Sequence, residues 1–119
     1  FQAKMIVGCG KRPALISKPK AREAREKTYY NLLKNRPPKT LKGPYHLALY
    51  FYFQAPKSRI KKCKEVQPMI VRPDLDNLIK GFQDAMVDAG WIENDQQVYA
   101  LDLRKYETRK LDYVSVTIF

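Results

Sequence analysis

The stretch YHLALYFYF, residues 45–53, carries the strongest strand signal of the chain: nine residues without proline, mostly aromatic or aliphatic. Three other segments also favour strands: 2–7, 98–106 and 111–118. The last two alternate apolar and polar residues and are joined by ETRK, 107–110, so the pattern predicts a hairpin between them.

A helix is predicted most clearly over residues 75–89, because apolar side chains recur there at three- and four-residue spacing and form one stripe. Gly90 follows as a natural helix terminator. A second helix is predicted over 20–35, where the apolar spacing is looser, and 55–68 reads as a basic loop. The order β-α-β-α-β-β predicts an α+β fold, a small mixed sheet packed with about two main helices, in one domain over 1–119.

Composition excludes several classes of protein. Apolar residues make up 45% of the chain, which is typical of a globular domain. Cys9 and Cys63 fit no metal-ligand spacing, so we expect no structural zinc site and no disulfide framework. No apolar run is long enough to span a bilayer. We therefore expect a cytoplasmic protein with no membrane partner and no small-molecule cofactor.

The net charge of +11 is unevenly distributed. Outside residues 74–95 there are 22 basic and six acidic residues, whereas the window holds one base, Lys80, and six acids. A basic body around an acidic island suggests a polyanionic partner and metal chemistry, although a basic protein with one acidic helix is an alternative. The six acids of the window are Asp74, Asp76, Asp84, Asp88, Glu93 and Asp95.

Two of these acids stand at the start of the predicted helix. Pro73 favours an extended residue before it and Asp is a preferred N-cap, so we expect Asp74 at the helix start and Asp76 in the first turn. Both carboxylates can then lean toward one point. Capping alone is one explanation, but two adjacent carboxylates repel each other unless a cation is present. Lys80 lies one turn after Asp76.

A third carboxylate could complete a metal site. The helix travels about 20 Å and the extended segment from Gly90 to Asp95 can return about 20 Å, so Asp95 just reaches the pair within its own chain. The reach is tight enough that a partner chain could supply Asp95 instead. Three hard oxygen ligands suit Mg²⁺, with Mn²⁺ as a substitute.

The run DLDNLIK, 74–80, followed by AGWIENDQQV, 89–98, resembles the RusA family of Holliday junction resolvases. The similarity is tight over 72–98 and looser over the whole chain; it departs at Asn94, where the family often has an acid. The resemblance implies a Mg²⁺-dependent endodeoxyribonuclease that nicks four-way DNA junctions as a homodimer, in a bacterial or phage-infected cell. It also implies catalytic roles for Asp74, Asp76, Lys80 and Asp95, with the three aspartates as metal ligands.

The DNA-binding surface is expected on the basic body, because the acidic residues would repel phosphates. Two alternatives stay open: a nuclease for flaps, forks or other branched DNA, and a non-catalytic DNA-binding module whose acids only cap a helix. The candidate DNA-binding residues are Lys11, Arg12, Lys18, Lys20, Arg22, Arg25, Lys57, Arg59, Lys61, Lys62, Lys64 and Arg72.

Overall fold

The helices and strands follow the predicted order, with one extra strand. The computed structural model describes the backbone of residues 1–6 and 18–119 and the side chains of residues 1–3 and 26–119. The elements are β1 (Gln2–Ile6), α1 (Lys18–Asn35), β2 (Tyr45–Gln54), β3 (Val66–Pro68), α2 (Leu75–Asp88), a short 3₁₀ helix (Asp95–Gln97), β4 (Val98–Thr108) and β5 (Tyr113–Ile118).

The five strands of the described residues form one mixed sheet in the order β1-β5-β2-β4-β3. The central strand β2 runs parallel to β4 and antiparallel to β5. The predicted α+β class, with a mixed sheet and two main helices, is therefore confirmed. The segment 55–68 was predicted to be a loop. Its last three residues instead form β3, which pairs with the end of β4.

The predicted hairpin between the last two strands was wrong. β2 lies between β4 and β5, so these two strands pair with it and not with each other. The connection 109–112 crosses the end of β2, where the Gln54 amide donates to Asp112 Oδ1 at 2.7 Å. The physical reason is that the most apolar strand takes the centre, where both of its edges are hydrogen-bonded.

The core lies between the sheet and the helices. Alternate residues of β2 and β5 are buried on this side, and the stripe of α2 covers them, as predicted. Phe51 of β2 meets Phe82 of α2 edge to face, with ring centroids 5.5 Å apart. Burying a side chain of this size contributes about 1.5–3 kcal/mol, so this contact helps to hold α2 against the sheet. Gly90 ends the helix with φ +80°, as predicted.

The opposite face of the sheet carries half-exposed polar and aromatic side chains. Tyr52 stacks between Tyr106 and Tyr113, with ring centroids 5.1 and 4.2 Å away. Tyr50 Oη donates to Asp102 Oδ2 at 2.6 Å. This hydrogen bond is the main reason why the pKa of Asp102 lies below, and that of Tyr50 above, its ordinary value.

Among the described residues, no helix is both long and apolar enough to cross a membrane.

Candidate active site

The start of α2 presents two exposed carboxylates. Asp74 occupies the N-cap position in an extended conformation, with φ −73° and ψ 148°, and Asp76 lies in the first turn. The Asp74 carboxylate makes no capping hydrogen bond. Asp74 therefore lies at the predicted N-cap position, but a capping hydrogen bond does not explain its presence there. Its carboxylate is left available to a ligand.

Lys80 stands one turn further along α2 and is exposed. Among the described side chains, those of residues 1–3 and 26–119, neither Asp76 nor Lys80 forms an ion pair. An (i, i+4) pair on an exposed helix would stabilise the protein by only about 0.2–0.5 kcal/mol, so its absence costs little. The free ammonium can instead donate to an anion such as a phosphate.

The segment that leads into α2 is held by a residue that sequence reasoning missed. Lys105 Nζ of β4 donates to the carbonyl oxygens of Val71 at 2.6 Å and Pro73 at 2.8 Å. The signal in the sequence was a lysine at an inward position of an otherwise alternating strand, next to Leu103. Lys105 thus ties β4 to the residue before Asp74.

Asp95 lies at the other end of α2. It begins the 3₁₀ helix and lines an open cavity beside the last turns of α2, together with Asp84, Val87, Asp88, Glu93 and Asn94. Asn94, at which the chain departs from the family pattern, caps the 3₁₀ helix by accepting from the Gln96 amide at 2.8 Å. Since α2 has 14 residues, its two ends lie about 21 Å apart.

The position of Asp95 is fixed by contacts with the core. Buried Trp91 donates from Nε1 to the Leu32 carbonyl at 2.7 Å. The Glu93 amide donates to Tyr45 Oη at 3.0 Å. These bonds hold the segment before Asp95 against α1 and β2, so it does not extend back along α2.

The three aspartates are therefore not brought together within one chain. Among the described residues, no group of three or more His, Cys, Asp or Glu side chains is placed to hold a metal ion. The direct return of Asp95 to the start of α2, which the sequence left open, is not observed. Asp74 and Asp76 still fit Mg²⁺ chemically, because this cation commonly binds one or two carboxylates together with a substrate phosphate.

Comparison with known proteins identifies the family. The family model described as endodeoxyribonuclease RusA matches residues 6–119. The chain belongs to the RusA endodeoxyribonuclease family. RusA proteins are nucleases that act on Holliday junctions, so this chain is a hydrolase of branched DNA. The resemblance carried by residues 72–98 is thereby confirmed. No curated protein matches the chain at a significant level.

In this RusA-family chain, the loop 55–65 presents basic residues on an anchored backbone. Arg59 turns inward and pairs with buried Glu107, with Nη2 and Oε2 2.6 Å apart. Arg109 Nε donates to the Cys63 carbonyl at 2.7 Å. Arg59 thus has a structural partner. Four candidates of the loop are exposed and, within the described part of the chain, form no ion pair: Lys57, Lys61, Lys62 and Lys64.

The other candidate DNA-binding residues are placed less fully. Arg72 is exposed two residues before Asp74. Lys18, Lys20, Arg22 and Arg25 belong to the first turns of α1, but their side chains lie outside the described part. Lys11 and Arg12 lie outside the described residues.

Proposed function

We propose that this protein is a Mg²⁺-dependent endonuclease that resolves Holliday junctions by paired symmetric nicks, as a homodimer in the cytoplasm of a bacterial or phage-infected cell. The observation that carries the proposal is the state of Asp74. It occupies an N-cap without capping, and it stands with exposed Asp76 and Lys80 at the start of one helix. Since the chain belongs to a family of DNA nucleases, DNA is the expected substrate of this arrangement.

Asp74 and Asp76 would hold Mg²⁺, or Mn²⁺ as a substitute, with the scissile phosphate as a further ligand. When bound, the cation supplies Lewis acidity at the phosphate and lowers the pKa of water. Lys80 donates to a non-bridging phosphate oxygen or to the attacking water, which adds positive charge where negative charge develops. The positive end of α2 also favours a phosphate at this position.

The third ligand, Asp95, would come from the partner protomer. Its distance from Asp74 along α2 and its exposure support this arrangement. Two exposed apolar residues follow it on β4, Tyr99 at 71% and Leu101 at 46% exposure, and a second copy of the chain would cover them. A twofold dimer then has two identical sites, each with the Asp74–Asp76 pair of one protomer and Asp95 of the other. Two sites match the two nicks that a junction requires.

The lysines of loop 55–65 are expected to contact DNA phosphates. Replacing Lys61 and Lys62 by Gln should lower junction affinity about tenfold and reduce the log–log salt slope by about two, because two counterion-releasing contacts are lost. Fluorescence anisotropy with a labelled junction, at several salt concentrations without Mg²⁺, measures both.

The matched control also removes two positive charges, but from exposed residues at the end of α1 and just after it. It combines Lys34→Gln with Lys39→Gln. Equal losses of affinity in the two double variants would show that net charge, rather than this loop, governs binding.

Substrate choice separates the proposal from its two alternatives. Labelled four-way junction, flap and duplex DNA are incubated with the protein, with and without Mg²⁺. Nicks placed symmetrically in the junction, and only with Mg²⁺, are expected. Preferred cutting of the flap would identify another branched-DNA nuclease. Binding without any cutting would make the chain a DNA-binding module.

A further inference from the structure

Lys105 lies on the side of the sheet that α2 covers. It is aligned with Phe51 of β2, which is buried against Phe82 of α2. Its own carbonyl accepts from the Met69 amide at 3.1 Å, which pairs β4 with the residue after β3. The Lys105 backbone is therefore held on both sides, by β2 and by the chain after β3, so the ammonium is not needed to keep β4 in the sheet.

The ammonium instead contacts the segment before α2. It donates to two carbonyls, those of Val71 and Pro73, at 2.6 and 2.8 Å. Hydrogen bonds from a charged donor are shorter and about twice as strong as neutral ones. An ammonium has three N–H donors, so one remains beyond these two bonds.

The position of Asp74 depends on this segment. The Pro73 carbonyl belongs to the peptide bond that Asp74 shares, and the Asp74 carboxylate makes no capping bond that could orient it. The Asp74 carbonyl accepts the first helical hydrogen bond, from the Leu78 amide at 3.1 Å. Residues 71–73 therefore set where the Asp74 backbone lies and where the first turn of α2 begins.

We propose that Lys105 is a positioning residue of the active site: its ammonium holds the backbone at Val71 and Pro73 so that Asp74 and Asp76 are presented together to the metal. This inference rests on the proposed function. The site is thereby preorganised before metal and DNA bind.

The test compares Lys105→Met with Arg104→Met. Arg104 is the next residue on the same strand, carries the same charge, and reaches Asp102 and Tyr50 on the opposite face. In Lys105→Met, hydrogen exchange of the Leu78 amide is expected to be about 30-fold faster than in wild type, because two charge-assisted bonds are lost. The Mg²⁺ concentration for half-maximal cleavage should rise about tenfold, since one carboxylate is less well placed. Arg104→Met should change neither.

A second variant keeps the test decisive if Lys105→Met does not fold. Lys105→Gln retains a polar head with N–H donors but is neutral and shorter, and is expected to speed Leu78 exchange about tenfold. Mn²⁺ binding, followed by electron paramagnetic resonance without DNA, should weaken in the same variants and not in Arg104→Met.

Two outcomes would overturn the proposal. The first is a folded Lys105 variant in which the exchange rate of the Leu78 amide and the Mg²⁺ dependence of cleavage equal those of Arg104→Met. The second is lost cleavage with unchanged exchange, which would make Lys105 a group that contacts the reacting phosphate. The exchange measurement needs neither metal nor DNA. If wild-type protein cuts no junction, the proposed function fails, while Leu78 exchange still decides whether Lys105 positions the start of α2.

Discussion

Asp76→Asn should lower the rate of junction cleavage at least about a hundredfold while junction binding and folding stay unchanged. The substitution keeps the size of the side chain and removes the charge that would hold Mg²⁺, whose stabilisation of the transition state amounts to several kcal/mol. The cost to stability is small. Asp76 is exposed, and its interaction with the helix dipole contributes only about 0.3–1 kcal/mol. Lost activity would therefore not come from unfolding.

The measurement is single-turnover cleavage of a labelled junction at saturating protein, with thermal melting and anisotropy alongside. Glu26→Gln is the matched control, because it removes one negative charge from an exposed helical position of α1. Cleavage by Asp76→Asn at close to the wild-type rate would remove Asp76 from the active site.

Asp95→Asn should be as inactive as Asp76→Asn, yet a mixture of the two variants should recover activity. In a heterodimer, the protomer with intact Asp74 and Asp76 meets the partner that still carries Asp95, so one of the two sites is complete. Random exchange of subunits gives about half heterodimers, and hence about a quarter of the wild-type number of active sites. If each site were built within one chain, both sites of the heterodimer would be defective and no activity would return.

A second mixture controls for this effect. Asp74→Asn and Asp76→Asn alter the same half of the site, so their heterodimer has no complete site in either arrangement. Subunits are exchanged by joint unfolding and refolding, and nicking is measured in Mg²⁺. Recovery in this control mixture would show that the assay reports something other than shared sites.

The elements with strong local signals were predicted well. The stripe of α2 and the terminator Gly90 placed that helix within one residue of its observed end, Asp88. The N-cap position of Asp74 also followed from local preferences, since Pro73 and an Asp at a helix start act over a few residues. These features depend on neighbours in the chain, which the sequence displays directly.

Features that depend on contacts between residues far apart in the sequence were not predicted. The pairing of β4 and β5 with β2 instead of each other is a long-range choice that alternation does not encode. Strand β3, three residues long, is formed only because β4 offers it an edge. The location of Asp95 depends on bonds from Trp91 to Leu32 and from Glu93 to Tyr45, which lie far apart in the sequence. Lys105 was predicted as an ordinary strand residue, because its bonds to Val71 and Pro73 also join parts of the chain that are far apart in the sequence.

The most direct measurement uses a supercoiled plasmid with an extruded four-way junction and follows the form of the product. Paired nicks within one bound dimer convert the plasmid to linear DNA, whereas a single nick gives a nicked circle. Wild-type protein should give linear DNA with Mg²⁺ and leave the plasmid intact without it, and the mixture of Asp76→Asn with Asp95→Asn should give nicked circles. Linear DNA without Mg²⁺, only nicked circles from wild-type protein, or no product from the mixture would contradict a metal-dependent dimer with shared sites.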